Sequence, residues 1–481
     1  MSDTILKDLH HLFYPGNIAV VGASPKADPQ MMNQGNNYIK GSIEQNFAGR
    51  IFPVHPKADT ILGYKAYARV KDIPDPVDLV IFTIPAEAAL AVMEDCIEKK
   101  VKFVHLYTAG FAESGRKEFI EIEKKLIRMA QKHGIRIVGP NCMGIYSPEG
   151  GLAFQPVFPA EAGPVGFFSQ SGQMAGMFVM KAATQGLRFS KVVSFGNARD
   201  MKANDFLHYL TRDEKTKIIG SYIEGLQEGR VFMELAAEVT RKKPLVIYKG
   251  GVTEGGTRAV MSHTASIAGS AQLWQALCKQ HGIISVASLD ELIFTLSGLQ
   301  RVALPKGKNV VILGGAGGGS VTMTDIAEAE GLKVPHLSAK TIKRLEEIVP
   351  PQGTSVKNPL DVGRRFFAGG RFEEFIELIR DDPNTDALIF MQPLAMFHRF
   401  AGREGINIIL DITLATQKIF QKPIFIVIER GDGFGGDHLL QDAITKYHAA
   451  GLATFPDFRL AVKVAGYMAD YQAFLSDGVR A

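Results

Sequence analysis

The strongest constraint on this chain is an alternation. Short apolar runs recur, each closed by small or polar residues, with helix-like segments between them. The first third carries such runs at 18–21, 51–54, 79–84, 103–107 and 135–138. Between the last two, 117–132 places Phe119, Ile120, Ile122, Leu126, Ile127 and Ala130 near helical spacing, with Gly134 just beyond. Strands that alternate with helices pair in parallel and are covered on both faces. The expected fold is therefore α/β and doubly wound, with ligands outside the carboxyl ends of the strands. The pattern restarts at Pro164 and again after Asn309, and 481 residues suit about three domains. We place the domains at 1–147, 148–300 and 309–481, with 301–308 as a linker.

Charge excludes some partners. The net charge is +4 and no Lys/Arg-rich run appears, so nucleic acid is a poor candidate. A slight positive balance is compatible with anionic small substrates. Cys96, Cys142 and Cys278 are far apart and form neither a CxxC nor a Cys/His metal spacing. A reducing compartment and no metal site are the expectation. The first ten residues lack the apolar core of a signal peptide, and no run is apolar enough to span a membrane. The expected location is the cytoplasm, without a membrane partner.

The strand ends of the first third are chemically suggestive. They read Gly22-Ala23-Ser24, His55-Pro56-Lys57, Thr83-Ile84-Pro85-Ala86, Thr108-Ala109-Gly110-Phe111-Ala112-Glu113 and Gly139-Pro140-Asn141-Cys142-Met143-Gly144. No GxGxxG is present, because Gly22 is followed by Ala-Ser-Pro. No acidic residue ends the second strand; Lys57 stands there, able to meet a phosphate or to be a solvated surface lysine. Cys142 reads as a small turn residue, since no base is placed beside it. The residues alone point to an anionic nucleotide at the sheet edge.

The middle third holds the chemistry. A buried strand at 165–168 runs into Ser169-Gln170-Ser171-Gly172 and a helix from Gln173 to about Thr184. A Ser/Gly turn that opens a helix presents free N–H groups and a positive dipole end, a phosphate site or an ordinary cap. A second strand, from Ile218, ends at Glu224, on the same edge. Beyond it lies a Gly/Ser/Thr-rich stretch, 249–269, containing Ser262-His263-Thr264-Ala265. It has no periodicity to bury, so it reads as a loop. A carboxylate bonded to one imidazole nitrogen leaves the other nucleophilic. Such a histidine can accept a phosphoryl group and pass it on.

The last third repeats the arrangement. A strand at 310–313 meets Gly314-Gly315-Ala316-Gly317-Gly318-Gly319-Ser320 and a helix from Val321 to Glu330. There is no GK[ST], so the turn is not a P-loop, but it offers a second helix N-terminus. Residues 243–249 resemble 422–428, and 281–292 resemble 450–461. The interval between these segments is longer in the first copy, and the His263 segment lies inside it. His398, His438 and His448 fall outside every motif and read as structural or surface residues.

Taken in order, GAS, HPK, TIPA, TAGFAE and GPNCMG resemble the CoA-binding domain of the NDP-forming acyl-CoA synthetases, a family that includes the succinyl-CoA synthetase alpha subunit. The series SQSG, YIEG and SHTASIAG is similar to the second domain of the ADP-forming acetyl-CoA synthetase alpha subunit, and Asn358-Pro359-Leu360-Asp361 to its NPxD segment. The resemblance implies three consecutive doubly wound domains, a Rossmann-like CoA-binding domain followed by two flavodoxin-like ones. It implies that Gly22, Ala23, Ser24, Lys57, Thr83, Ile84, Pro85, Ala109, Gly110, Asn141 and Cys142 line a CoA site. His263 would be transiently phosphorylated and Glu224 would position it. Ser169, Gln170, Ser171 and Gly172 would hold one phosphate, Gly317 and Gly318 the other. Two departures stand out: Ala265 replaces a Gly of the family loop, and Val252 stands where Arg is common.

Three α/β units fill the chain, and the resemblance implies that ATP or ADP and Mg²⁺ lie on a separate ATP-grasp beta subunit. The expected activity interconverts acyl-CoA, ADP and phosphate with carboxylic acid, CoA and ATP. A second reading is a CoA- or acyl-CoA-binding regulatory protein; Ala265 and Val252 favour it, and the retention of His263 and Glu224 opposes it. A third, an NAD-dependent dehydrogenase, is weakened by the missing GxGxxG.

Overall fold

A computed structural model describes residues 9–25, 33–264, 270–315, 317–363, 370–392, 394–428 and 437–477. The chain forms two compact units, Met1–Leu289 and Asp290–Ala481. Among the described residues the first unit contains two large sheets and a two-stranded one, and the second contains one sheet.

The first sheet is built from β1 (Asn17–Val21), β2 (Arg50–Val54), β5 (Leu79–Phe82), β6 (Phe103–Leu106) and β7 (Arg136–Val138), with a small hairpin of β3 (Thr60–Ile61) and β4 (Tyr64–Lys65) beside it. Its order is β2-β1-β5-β6-β7 and every pairing is parallel. The strands are almost wholly buried, which is why they read as unbroken apolar runs. The helix Lys117–Lys132 buries Phe119, Glu123, Leu126 and Ala130, and Gly134, at φ 71°, lies just past its end. Glu123 is tolerated inside because Arg199 meets it at 2.8 Å.

The second sheet holds β8 (Gly144–Tyr146), β9 (Ala162–Ser169), β10 (Phe189–Ser194), β11 (Ile218–Ile223), β12 (Leu245–Lys249) and β13 (Ile284–Val286), in the order β13-β12-β11-β9-β10-β8. Only β8 is antiparallel; it pairs Ile145 with Val193. The third sheet, in the second unit, holds β14 (Val310–Leu313), β15 (Ala387–Gln392), β16 (Ile424–Ile428) and β17 (Thr454–Phe455), in the order β14-β15-β16-β17.

The suspected repeat appears in this topology. In the second sheet the parallel strands run β13-β12-β11-β9-β10. In the third they run β17-β16-β15-β14, and Leu360 makes a parallel bridge to Leu313 where β10 would stand. Asn358 completes that edge. Its carboxamide accepts the Ile312 N–H at 3.0 Å and donates to the carbonyls of Val310 at 2.8 Å and Pro335 at 3.0 Å. A side chain thereby does for β14 what a neighbouring strand does for β9.

One expectation is corrected. Residues Glu254–Thr264 are helical, not a loop. The stretch has no apolar stripe, but its ends and pairs are favourable. Thr253 accepts the Gly256 N–H through Oγ1 at 3.1 Å, and Glu254 meets Arg258 one turn on at 2.6 Å. Arg258, Ala259 and Met261 are good helix formers, so local capping and pairing suffice where periodicity is silent. His263 lies in this helix; its side chain, and Ala265, fall outside the described residues. No helix among the described residues is long and apolar enough to cross a membrane.

Candidate active site

The first two sheets wind outward in both directions, from β1 and from β9, and the third steps one way from β14, with the Leu360 bridge on its other side. The point where the winding reverses leaves a crevice at the carboxyl ends, where such folds bind ligands. In the first sheet that point lies between β1 and β5. Gly22 follows β1 with φ 102°, and a Cβ there would stand 2.6 Å from the Thr83 carbonyl oxygen. Only glycine lets these two strand ends close. Asn33 and Asn36 then fix the turn. Asn33 donates to the Gly22 carbonyl at 3.1 Å, and Asn36 exchanges bonds of 2.9 and 3.0 Å with the Ser24 backbone. Ala23 is fully buried beneath it.

The other strand ends surround this crevice. Thr108 donates through Oγ1 to the Ile84 carbonyl at 2.8 Å, just before the exposed Pro85. Ala109 is exposed, and the Gly110 N–H is bound by Glu113 at 2.7 Å. Lys57 is exposed, at the tip of a turn that His55 holds by accepting the N–H groups of Lys57 at 3.2 Å and Ala58 at 3.1 Å. Asn141, at φ 56°, hangs from the Thr108 carbonyl at 2.9 Å. Cys142 is buried, its thiol 3.6 Å from the Leu106 carbonyl, and burial pushes that thiol well above its ordinary range. It is a packed turn residue, not a thiolate. Beneath it His105 bonds the Cys142 carbonyl at 3.0 Å, and burial lowers the imidazole pKa to about 4.

The Cys142 turn leads directly into the second sheet. The Met143 N–H donates to Ser194 Oγ at 3.2 Å, and a Cβ on Gly172 would stand 2.6 Å from Met143 Cγ. So the turn after β9 abuts the last motif of the first domain. In that turn Ser169 is fully buried and its hydroxyl donates to the Ser171 carbonyl at 2.7 Å. Ser171 is the N-cap of the helix Gly172–Thr184 and accepts the Met174 N–H at 3.3 Å. The N–H groups of Gly172 and Gln173 are left without an intrahelical partner, at the positive end of the helix dipole.

Here too the winding reverses, between β9 and β11, and this brings Glu224 to the turn. Tyr222 pairs with Ser169 in register. The side chain of Gln170 accepts the N–H of Glu224 and, at 2.9 Å, that of Gly225. Its amide oxygen therefore shapes the Glu224 backbone and is not presented to a phosphate. Glu224 is 7% exposed, and Tyr222 donates to its Oε1 at 3.2 Å.

Lys249, which the sequence reading passed over, closes the other side. It is the last residue of β12, buried, with its ammonium donating to the Glu224 carbonyl at 2.6 Å and to the Gly250 carbonyl. Burial lowers its pKa, and the charge of Glu224 opposes that shift. The available signal was a lysine ending an apolar strand at the ligand edge.

In the second unit, Gly314 repeats the Gly22 arrangement. Its φ is 101°, and a Cβ would stand 2.9 Å from Met391 Cβ, across β14 and β15. Gly317, at φ 54°, precedes the helix Gly318–Ala329. His448 is a structural residue, bonded to Thr454 Oγ1 at 3.0 Å, with a pKa lowered by burial to about 4.

Comparison with known proteins identifies two family domains. Residues 16–148 match the CoA binding domain, and 162–299 match the succinyl-CoA ligase like flavodoxin domain. An ADP-forming acetate–CoA ligase II of Archaeoglobus fulgidus is 34% identical over 479 residues, covering 98% of this chain and 68% of that protein. The alpha subunit of the corresponding Pyrococcus furiosus ligase is 38% identical over 397 residues, covering 82% of this chain and 84% of the subunit. A solved acetyl-coenzyme A synthetase 1 of Ca. Korarchaeum cryptofilum, in complex with phosphate and ADP, superposes with a TM-score of 0.81 at 29% identity, over 98% of this chain and 99% of that one. The regulatory alternative finds no support among these relatives. The chain belongs to the ADP-forming acyl-CoA ligases.

Proposed function

We propose that this chain binds CoA in its first domain and carries the phosphoryl group on His263 between two centres. The observation that carries the reading is the contact between the two carboxyl-edge turns. The Asn141–Cys142–Met143 turn of the first domain lies against Gly172, at the start of a helix whose preceding turn holds the Glu224 backbone through Gln170. A thioester held at the first turn would place its carbonyl where phosphate is bound by the second.

The steps balance as follows. Phosphate attacks the acyl-CoA carbonyl, releasing CoA and forming acyl phosphate. A neutral imidazole nitrogen of His263 takes the phosphoryl group and releases the carboxylate. ADP then takes it from the histidine to give ATP. Glu224 holds the other imidazole N–H and stabilises the charge that develops on the ring. Ser171 fixes the helix start, and the Gly172 and Gln173 N–H groups receive the phosphate oxygens. Gly317 and Gly318 offer the second helix start. CoA is assigned to the first crevice, whose base Gly22 closes against Thr83. ATP or ADP with Mg²⁺ is assigned to an ATP-grasp module on a separate subunit, a division supported by the relative named as subunit alpha. The acid is assigned as a small carboxylic acid, as in the relatives named acetate–CoA ligases.

The test is phosphorylation of the chain itself. Purified protein is incubated with labelled phosphate, CoA and a panel of acyl-CoA esters. A base-stable, acid-labile label in wild type, absent in His263→Asn and strongly reduced in Glu224→Gln, is expected. Label that persists in His263→Asn would refute the assignment. CoA binding with no label from any ester, even with an ATP-grasp partner and ATP, would leave a binding protein.

A further inference from the structure

We propose that Lys249 is a positioning residue for Glu224, closing a clamp made by three adjacent strands. The inference rests on the reading above, in which Glu224 orients the phosphorylated histidine. From the β9 side, Gln170 holds the Glu224 N–H. From β11 itself, Tyr222 holds the carboxylate at 3.2 Å. From β12, the Lys249 ammonium holds the Glu224 carbonyl at 2.6 Å. The donor, the acceptor and the side chain of one residue are each tied to a different strand.

A buried ammonium is costly unless it is bonded and compensated. Lys249 is 9% exposed, and both carbonyls it binds belong to this corner. An apolar residue could fill the same end of β12, as Ile428 fills the corresponding end of β16. The lysine answers a local demand, the Glu224 carbonyl beside the orienting carboxylate. Gly250 supports the same arrangement. A Cβ there would stand 2.7 Å from Tyr222 Oη and 3.5 Å from Glu224 Cγ, so the residue after Lys249 must lack a side chain for the Tyr222–Glu224 bond to form. The helix carrying His263 begins four residues further on, at Glu254. Lys249 thus ties the orienting carboxylate to the root of the segment it must orient.

The test compares wild type, Lys249→Met and Lys249→Gln by rate of acid-labile phosphorylation, by KM for CoA, and by crystal structure. Lys249→Met is expected to slow labelling about tenfold or more while KM for CoA stays within about twofold, because the CoA crevice is untouched. Its structure is expected to show the Glu224 carbonyl displaced and the Tyr222–Glu224 bond lost. Lys249→Gln, which keeps one donor on a shorter stem, should fall between the two and serves if Lys249→Met does not fold. An unmoved Glu224 together with an unchanged rate would overturn the proposal. If wild type takes no label, the functional reading fails instead, and the position of Glu224 in the variant still judges the clamp.

Discussion

The carboxamide of Asn197 donates to Oε2 of Glu113 at 2.7 Å, while Oε1 of the same carboxylate accepts the Gly110 N–H at 2.7 Å. One glutamate of the first domain is thus shared between its own strand-end turn and the loop after β10. Close backbone contact accompanies it, since a Cβ on Gly196 would stand 2.3 Å from the carbonyl oxygens of Pro140 and Asn141. Glu113→Ala frees the Gly110 turn and leaves Asn197 unpaired. The expected result is a CoA affinity lowered about tenfold and a stability loss of about 1–2 kcal/mol. Calorimetric titration with CoA and urea unfolding check it; an unchanged affinity would remove Glu113 from the site.

Asn358 makes three hydrogen bonds to the main chain around β14 from a buried position. Asn358→Leu leaves the Ile312 N–H and two carbonyls without that partner. A loss of about 2–4 kcal/mol is expected in the transition of the second unit. CoA binding should be retained. The readout is denaturant unfolding alongside titration with CoA.

His105 and His448 are both buried with pKa values lowered to about 4. The unfolded chain, with ordinary imidazoles near 6.5, binds more protons between about pH 4 and 6.5. Stability is therefore lost as pH falls through that window, and it is complete above it. His105 alone should cost on the order of 1–2 kcal/mol by pH 5. Unfolding curves at pH 7 and pH 5 should converge in His105→Gln relative to wild type. An equal acid loss in both proteins would contradict the neutral, buried imidazole.

Cys96, Cys142 and Cys278 are all buried and free. Burial raises all three thiols, Cys278 to about 12. The native protein should react hardly at all with a thiol reagent at pH 8, and the denatured chain should give three equivalents. Rapid labelling of Cys142 in the folded state would reopen a nucleophilic role for it.

Much of the fold was legible because parallel strands are buried on both faces. Runs such as 18–21 and 310–313 have no polar residue to disguise them, and the helix Lys117–Lys132 carries its stripe in full. The helix Glu254–Thr264 was hidden because its evident support is a cap and an ion pair, and among its described side chains Val260 alone is buried. The weak likeness between the middle and last thirds resolved into a shared strand order, with Leu360 and Asn358 replacing a strand that no sequence pattern announced. At the candidate site, the turn of Ser171 and Gly172 and the strand-end carboxylate were readable from residue type. The use of Gln170 on the Glu224 backbone and the burial of Lys249 were not. Both depend on which strands become neighbours, and β9, β11 and β12 are far apart along the chain.

The His263 helix belongs to the connection between β12 and β13, whose counterpart between β16 and β17 is shorter. The strands on either side stop at Lys249 and resume at Ile284, so the helix itself lies outside the ladder. A lineage can therefore lengthen, trim or replace it without unsettling the scaffold, and chemistry can be acquired or discarded by insertion and deletion alone. The glycine turns at Gly22 and Gly314 have no such latitude. Drift should collect in the crossover while the strand ends stand still.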